Sequence, residues 1–90
     1  MQKNSDYKIV IPKKIAKYIN KQDKQVKYLI FDLLDEIEKD PYNSDFMKIY
    51  LKSARKKRKG DYRIVFRIKT DSKEIEIIKI GKRSKIYKKK

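Results

Sequence analysis

The sequence predicts an α+β domain of element order βααβββ, with two helices packed on a small antiparallel sheet. Three observations carry this expectation. Val26, Leu29, Ile30, Leu33, Leu34 and Ile37 recur at helical spacing. Residues 62–69 alternate between apolar and polar, the period of a strand. An Ile-rich stretch over 74–80 follows a polar turn at 70–73, so the two strands read as a hairpin. The helical stripe and the Tyr62, Ile64, Phe66, Ile68 face each need an apolar cover, and each supplies it for the other.

In chain order, residues 7–11 (YKIVI) are a short β-prone run ending at Pro12, whose fixed φ suits the first turn of a helix. Ile15, Ala16 and Ile19 outline a short amphipathic helix from Lys13 to about Lys21, broken by Asn20, Lys21 and Gln22. Asp23 stands where the long helix needs an N-cap. The outer face of that helix turns acidic toward its end, at Asp32, Asp35, Glu36, Glu38 and Asp40, and the Asp40-Pro41 pair stops it. Residues 42–47 (YNSDFM) read as a loop. The basic stretch 48–59 has only Ile49, Tyr50, Leu51 and Ala54 as apolar members and alternates poorly; Gly60 and Asp61 close it. Gly81 ends the last strand, and Ile86 and Tyr87 are the apolar anchors of the tail. No repeat and no Pro- or Gly-rich linker divides the chain, so residues 1–90 read as a single domain.

The chain contains neither cysteine nor histidine. Zinc sites with N or S ligands, disulfides and His-assisted nucleophiles are therefore excluded, and any catalysis uses Lys, Arg, Tyr or carboxylates. No metal or other cofactor is expected. Two glycines cannot build a phosphate-cradling loop, and the acidic helix residues lack ligand spacing and read as a solvated face. The start MQKNSDYK has no apolar segment of the secretory kind. No apolar run exceeds four residues, far short of the roughly 18 that a membrane span requires. The expected location is cytoplasmic, away from membranes.

The formal net charge is +15, unevenly spread. Residues 1–45 hold 9 basic and 8 acidic side chains, whereas residues 46–90 hold 18 and 4. Such a field attracts a polyanion through steering and counterion release, which points to nucleic acid or an acidic protein as partner. A lysine-rich solvated surface would show the same composition, but not the same clustering.

Two basic segments are candidate sites. In LKSARKKRKGDYR (51–63), read as a strand, Lys56 and Arg58 share one face while Lys57 and Lys59 share the other. With Lys52, Arg55 and Lys57, this segment offers a phosphate backbone a run of cations; lysines also keep a solvated sheet edge from pairing. Arg63 and Arg67 lie on the polar face of the next strand, suited to phosphates or to pairing with surface carboxylates. In GKRSKIY (81–87), Lys82, Arg83 and Lys85 surround Tyr87. Arginine gives planar, multi-donor contact with phosphate, and nearby positive charge favours a phenolate, which makes Tyr87 a candidate general base. Ile86 and Tyr87 could equally pin the tail to the core. Tyr7, Tyr18, Tyr28, Tyr42 and Tyr50 lack that basic setting and read as packing residues.

Taken together, LKSARKKRKGDYRIVFRI (51–68) and IEIIKIGKRSKIY (75–87) resemble the RelE toxins of the RelE/ParE superfamily, most closely the archaeal members. GDYR at 60–63 and GKR at 81–83 fit the family pattern, while Lys57 and Lys59 stand where the family usually has apolar residues. The resemblance implies a RelE-like fold and a type II toxin that enters the ribosomal A site and cuts mRNA there, inhibiting translation. It also implies a RelB-like acidic antitoxin as partner in a hetero-oligomer. Carried onto this chain, the catalytic positions are Lys56, Arg58, Arg63, Arg83 and Tyr87. The implied chemistry is metal-independent attack of a 2′-hydroxyl on its neighbouring phosphate, with the tyrosine as base and the cations stabilising the phosphate. Members of the same superfamily poison DNA gyrase, so the alternative is a non-enzymatic ParE-like gyrase inhibitor or a basic nucleic-acid-binding domain.

Overall fold

The computed structural model of the chain describes residues 7–46 and 54–82. Its elements are β1 (Lys8–Val10), α1 (Lys13–Asn20), α2 (Lys24–Lys39), β2 (Asp45–Phe46), β3 (Ala54–Lys59), β4 (Tyr62–Lys69) and β5 (Glu74–Lys82). The five strands form one sheet in the order β1-β5-β4-β3-β2, covered on one face by the helical pair. The α+β architecture expected from the sequence, two helices packed on one sheet, is the one observed.

Local sequence explains the helix boundaries. Pro12, extended at φ −62° and ψ 154°, precedes the first residue of α1. The Asp23 side chain accepts a hydrogen bond from the Val26 N–H at 3.1 Å, satisfying one of the donors that a helix start leaves open. Helix α2 ends at Lys39, just ahead of Asp40 and Pro41.

Two features of the sheet depart from expectation. A two-residue strand, β2, lies inside the stretch read as loop and pairs antiparallel with β3, Asp45 opposite Lys56. In addition, β1 joins β5 in parallel, Ile9 opposite Ile75, which makes the sheet mixed rather than wholly antiparallel. Residues 7–11 encode no direction. The helical pair carries the chain from β1 at one edge of the sheet to β2 at the other, and successive antiparallel pairings through β3 and β4 bring β5 back beside β1.

The core lies between helices and sheet. Ile30, Leu33, Leu34 and Ile37 of α2, with Ile19 of α1, pack on Ile64, Phe66, Ile75, Ile77 and Ile80. The helical stripe therefore meets the predicted strand face. Strict alternation along β5 would carry Ile77, Lys79 and Gly81 on the core side. Instead a bulge between the Val65 and Phe66 pairings inserts Ile78, so Ile77 and Ile80 both face the core while Lys79 and Gly81 pass to the other side. On that open face Ala54 and Val65 are fully buried, with Ile78 packed against them.

Between β3 and β4 the chain turns on two residues, Gly60 and Asp61. Gly60 has φ +61°, a backbone conformation that favours glycine, and a Cβ there would press on Leu29 Cδ1 at 3.2 Å. No helix among the described residues is long and apolar enough to cross a membrane.

Candidate nucleic-acid interface

The register of β3 on β4 decides which cations meet. Arg58 stands opposite Arg63, and Lys56 opposite Val65. Because side chains alternate along each strand, Lys56, Arg58 and Arg63 project from the open face, away from the helices. Across the next ladder, Gly81 is opposite Arg63 and Lys79 opposite Val65, so Lys79 joins the same face beside a residue without a side chain. Three predicted catalytic cations are thus brought together at the end of the sheet that carries Gly60 and Gly81.

Burial distinguishes these side chains. Arg63 is 8% exposed, the single buried charged residue among those described, while Lys56 is half-buried and Arg58 exposed. The guanidinium stem of Arg63 is therefore held by packing, and Arg58 remains open to an incoming anion. Juxtaposed cations on a shallow apolar base of Val65 and Ala54 are suited to holding a phosphodiester, since charge in a partly dehydrated setting interacts more strongly than in bulk water.

The other predicted RNA-binding cations are placed elsewhere. Arg55 and Lys57 project to the helix side. Arg55 Nη1 donates to Ser44 O at 3.3 Å and Ser44 Oγ at 3.2 Å, with its guanidinium 5.2 Å from the Tyr42 ring centroid. Lys57 Nζ donates to Asn43 O at 2.9 Å. Both tie the 40–44 loop to β3, and Lys59 bonds Glu36 of α2 at 2.6 Å. That bond raises the Lys59 pKa above 10.5, chiefly through the hydrogen bond to Glu36, with its negative charge adding to the effect. Lys82 lies on the helix side, opposite Tyr62. Arg67 pairs with Glu76 at 3.4 Å, the carboxylate-pairing role open to it from sequence. Lys52, Arg83, Lys85 and Tyr87 lie outside the described residues.

Sequence reasoning missed Lys79. Simple alternation from Ile75 and Ile77 assigns it to the core face, and the signal that corrects this is the Ile77-Ile78 doublet, where two alternation frames meet. Tyr18, read from the sequence as a packing residue, does pack against the core. In the structure a cleft of about 400 Å³ is lined by Tyr18, Gln22, Tyr62, Ile80 and Lys82, among others. Burial, assisted by Tyr62, raises the Tyr18 pKa above 10.0, which keeps its hydroxyl protonated.

Comparison with known proteins agrees with this fold. The structure is similar to the toxin–antitoxin complex RelBE2 from Mycobacterium tuberculosis, with TM-score 0.76 and 15% identity over 86% of this chain and 98% of that one. It is similar to the isolated E. coli RelE toxin, with TM-score 0.71 and 20% identity over 90% of each chain. It is also similar to the archaeal RelE–RelB complex from Pyrococcus horikoshii OT3, with TM-score 0.69 and 24% identity over 88% and 97%. No curated protein matches the sequence. Residues 12–87 match the family described as ParE toxin of type II toxin-antitoxin system, parDE. The chain therefore belongs to the ParE toxin family of type II toxin–antitoxin systems, within the RelE/ParE superfamily.

Proposed function

We propose that this toxin is an endoribonuclease that cuts ribosome-bound mRNA, with Lys56, Arg58 and Arg63 holding the scissile phosphate. The observation that supports this reading is the convergence of these three cations on one open face through the Arg58 and Arg63 pairing. In a chain without histidine, the chemistry that suits such a face is attack by the 2′-hydroxyl on the adjacent phosphorus. The 2′-oxygen loses its proton to a base, forms the new P–O bond, and the 5′-oxygen leaves and takes up a proton. The products are a 2′,3′-cyclic phosphate and a 5′-hydroxyl end. The cations stabilise the charge gathered on the phosphoryl oxygens, a role in which one well-placed donor contributes about 10²–10³ in rate. Arg83 directly follows the last residue of β5, and Tyr87 follows within the same basic tail; they are proposed as a further phosphate contact and as the base.

The partner proposed for this surface is an acidic, RelB-like antitoxin in a hetero-oligomer. RelBE2 is a toxin–antitoxin complex, and the archaeal structure is a RelE–RelB complex. A carboxylate-rich segment on the +14 half of the chain would neutralise and cover the site at once. The second reading, a non-enzymatic ParE-like gyrase inhibitor, rests on the family that residues 12–87 match.

One experiment separates the readings. The purified protein is added to a translation reaction, to the same mRNA without ribosomes, and to a gyrase supercoiling assay. New RNA ends that depend on ribosomes support the nuclease. Loss of supercoiling without new RNA ends overturns it in favour of gyrase. Cleavage of free mRNA removes the ribosome from the proposal.

A further inference from the structure

Helix α2 carries two stripes. Ile30, Leu33, Leu34 and Ile37 are buried against the sheet. On the opposite side Lys24, Tyr28, Phe31 and Asp35 follow at intervals of four, three and four residues, which sets them in one line along the helix. Those intervals are the ones that form a seam between paired helices. All four side chains are exposed, and the two rings at the centre are 65% exposed at Tyr28 and 51% at Phe31. Two adjoining exposed rings are what the core of an interface uses and a solvated helix face does not need.

Read from either end, the line has the same spacing with the charge inverted: cation, ring, ring, carboxylate. It is therefore complementary to itself. When a second α2 lies antiparallel across a twofold axis placed midway between Tyr28 and Phe31, Lys24 of each copy faces Asp35 of the other, and the four rings gather about the axis. Lys24 has no ion pair among the described residues. Asp35 uses Oδ2 on Lys39 at 3.4 Å, an exposed bond that leaves Oδ1 for a second cation.

Charge also decides which partner this strip fits. At +15, two copies repel each other over most of their surfaces. Helix α2 holds three lysines against four carboxylates, so two copies meet there without that penalty. A nucleic acid or a carboxylate-rich segment laid on the same rings would instead meet Asp32, Asp35 and Glu38.

We propose that α2 pairs with α2 of a second copy of this chain, antiparallel along Lys24, Tyr28, Phe31 and Asp35. The inference goes beyond the reading above and does not depend on it. The seam lies on the outer side of the helical layer, so the Arg58 and Arg63 face stays open in both copies. A contact between two short helix faces lies below the roughly 1,200 Å² at which standard interfaces begin, which makes the pair weak and reversible.

The test is sedimentation velocity of the full chain over a concentration series at physiological ionic strength, where repulsion between distant charges is screened. The sedimentation coefficient is expected to rise with concentration, and Tyr28→Ser with Phe31→Ser to abolish the rise while circular dichroism shows the fold retained. Lys24→Glu lowers the net charge of each copy, so relief of general repulsion alone would strengthen association. The seam predicts the opposite, a weakening of about tenfold, because each substitution acts twice across the axis. Asp35→Lys is expected to weaken association likewise, and an equimolar mixture of the two single variants to restore it, as does the chain carrying both. A wild-type chain that stays monomeric at every concentration overturns the proposal, as do tighter association of Lys24→Glu, continued association without the two rings, and a charge swap that restores nothing. If the wild type is monomeric and loss of the two rings weakens binding of a carboxylate-rich antitoxin segment, the strip is a site for that partner and the self-pairing is refuted.

Discussion

Arg58 and Arg63 sit directly opposite each other on β3 and β4, two like charges in a cross-strand pair. Such a pair destabilises a sheet, so its presence marks a place where charge density has been kept at the expense of the fold. The same face carries Lys56 and Lys79, while Glu76 pairs with Arg67 and Lys69 at 3.4 and 3.6 Å.

Removing one of the two charges should separate stability from function. Arg58→Gln is expected to raise stability by about 0.2–1 kcal/mol at low salt, with the gain shrinking as salt screens the repulsion. On the proposed nuclease reading, the same variant should lose most of the RNA cleavage. Urea unfolding at two ionic strengths, beside the cleavage assay, checks both halves; an Arg58→Gln protein less stable than wild type at low salt would contradict the repulsive pair.

Lys56 and Lys57 are neighbours that project from opposite faces of β3. Lys56→Ala should reduce RNA affinity and lower the slope of log K against log salt by about 0.7, the loss of one phosphate contact on a single strand. Lys57→Ala removes the bond to Asn43 O and should leave that slope unchanged, since its ammonium faces the loop. Binding of a labelled single-stranded RNA over a salt series gives both slopes.

Gly60→Ala should destabilise the fold by about 1–3 kcal/mol, because an alanine must hold a positive φ and its Cβ must displace Leu29 Cδ1 from 3.2 Å. Denaturant unfolding measures the loss, and Leu29→Ala in the same background should not recover the part due to φ. Full stability of Gly60→Ala would mean that the hairpin turn relaxes to another type.

The Lys59 and Glu36 bond couples β3 to α2 and gives an alkaline signature. A lysine whose folded pKa lies above its ordinary 10.5 adds stability that is fully present below that value and is lost as pH climbs through the folded pKa. The Tm difference between wild type and Lys59→Met should therefore be constant over about pH 7–9 and diminish above about pH 10.5. A difference that widens with alkaline pH would contradict the assignment.

Antitoxin binding should stabilise the folded toxin by mass action, about 2.7 kcal/mol when the free partner is at 100 times its Kd. Mixing with a carboxylate-rich antitoxin segment should raise Tm and suppress RNA binding together. An increase in Tm with RNA binding untouched would place the antitoxin on a different surface.

Much of this protein follows from local pattern. The 26–37 stripe, the Asp23 cap, the Asp40-Pro41 stop and the 62–69 alternation are short-range properties, because helix and strand periods decide which side chains share a face. The split of Lys56 and Arg58 from Lys57 and Lys59 is a consequence of the same period. Long-range pairing decided the rest. Only the Arg58 and Arg63 register shows that residues from two strands form one cationic face, and only the Ile78 bulge moves Lys79 and Gly81 onto it while returning Ile80 to the core. The parallel seat of β1, and the cleft left where its pairing with β5 stops, depend on how the helical crossover closes over the sheet. Strand period is written in neighbouring residues, whereas register, bulge position and strand neighbours minimise the energy of the whole packed layer, which no single segment encodes.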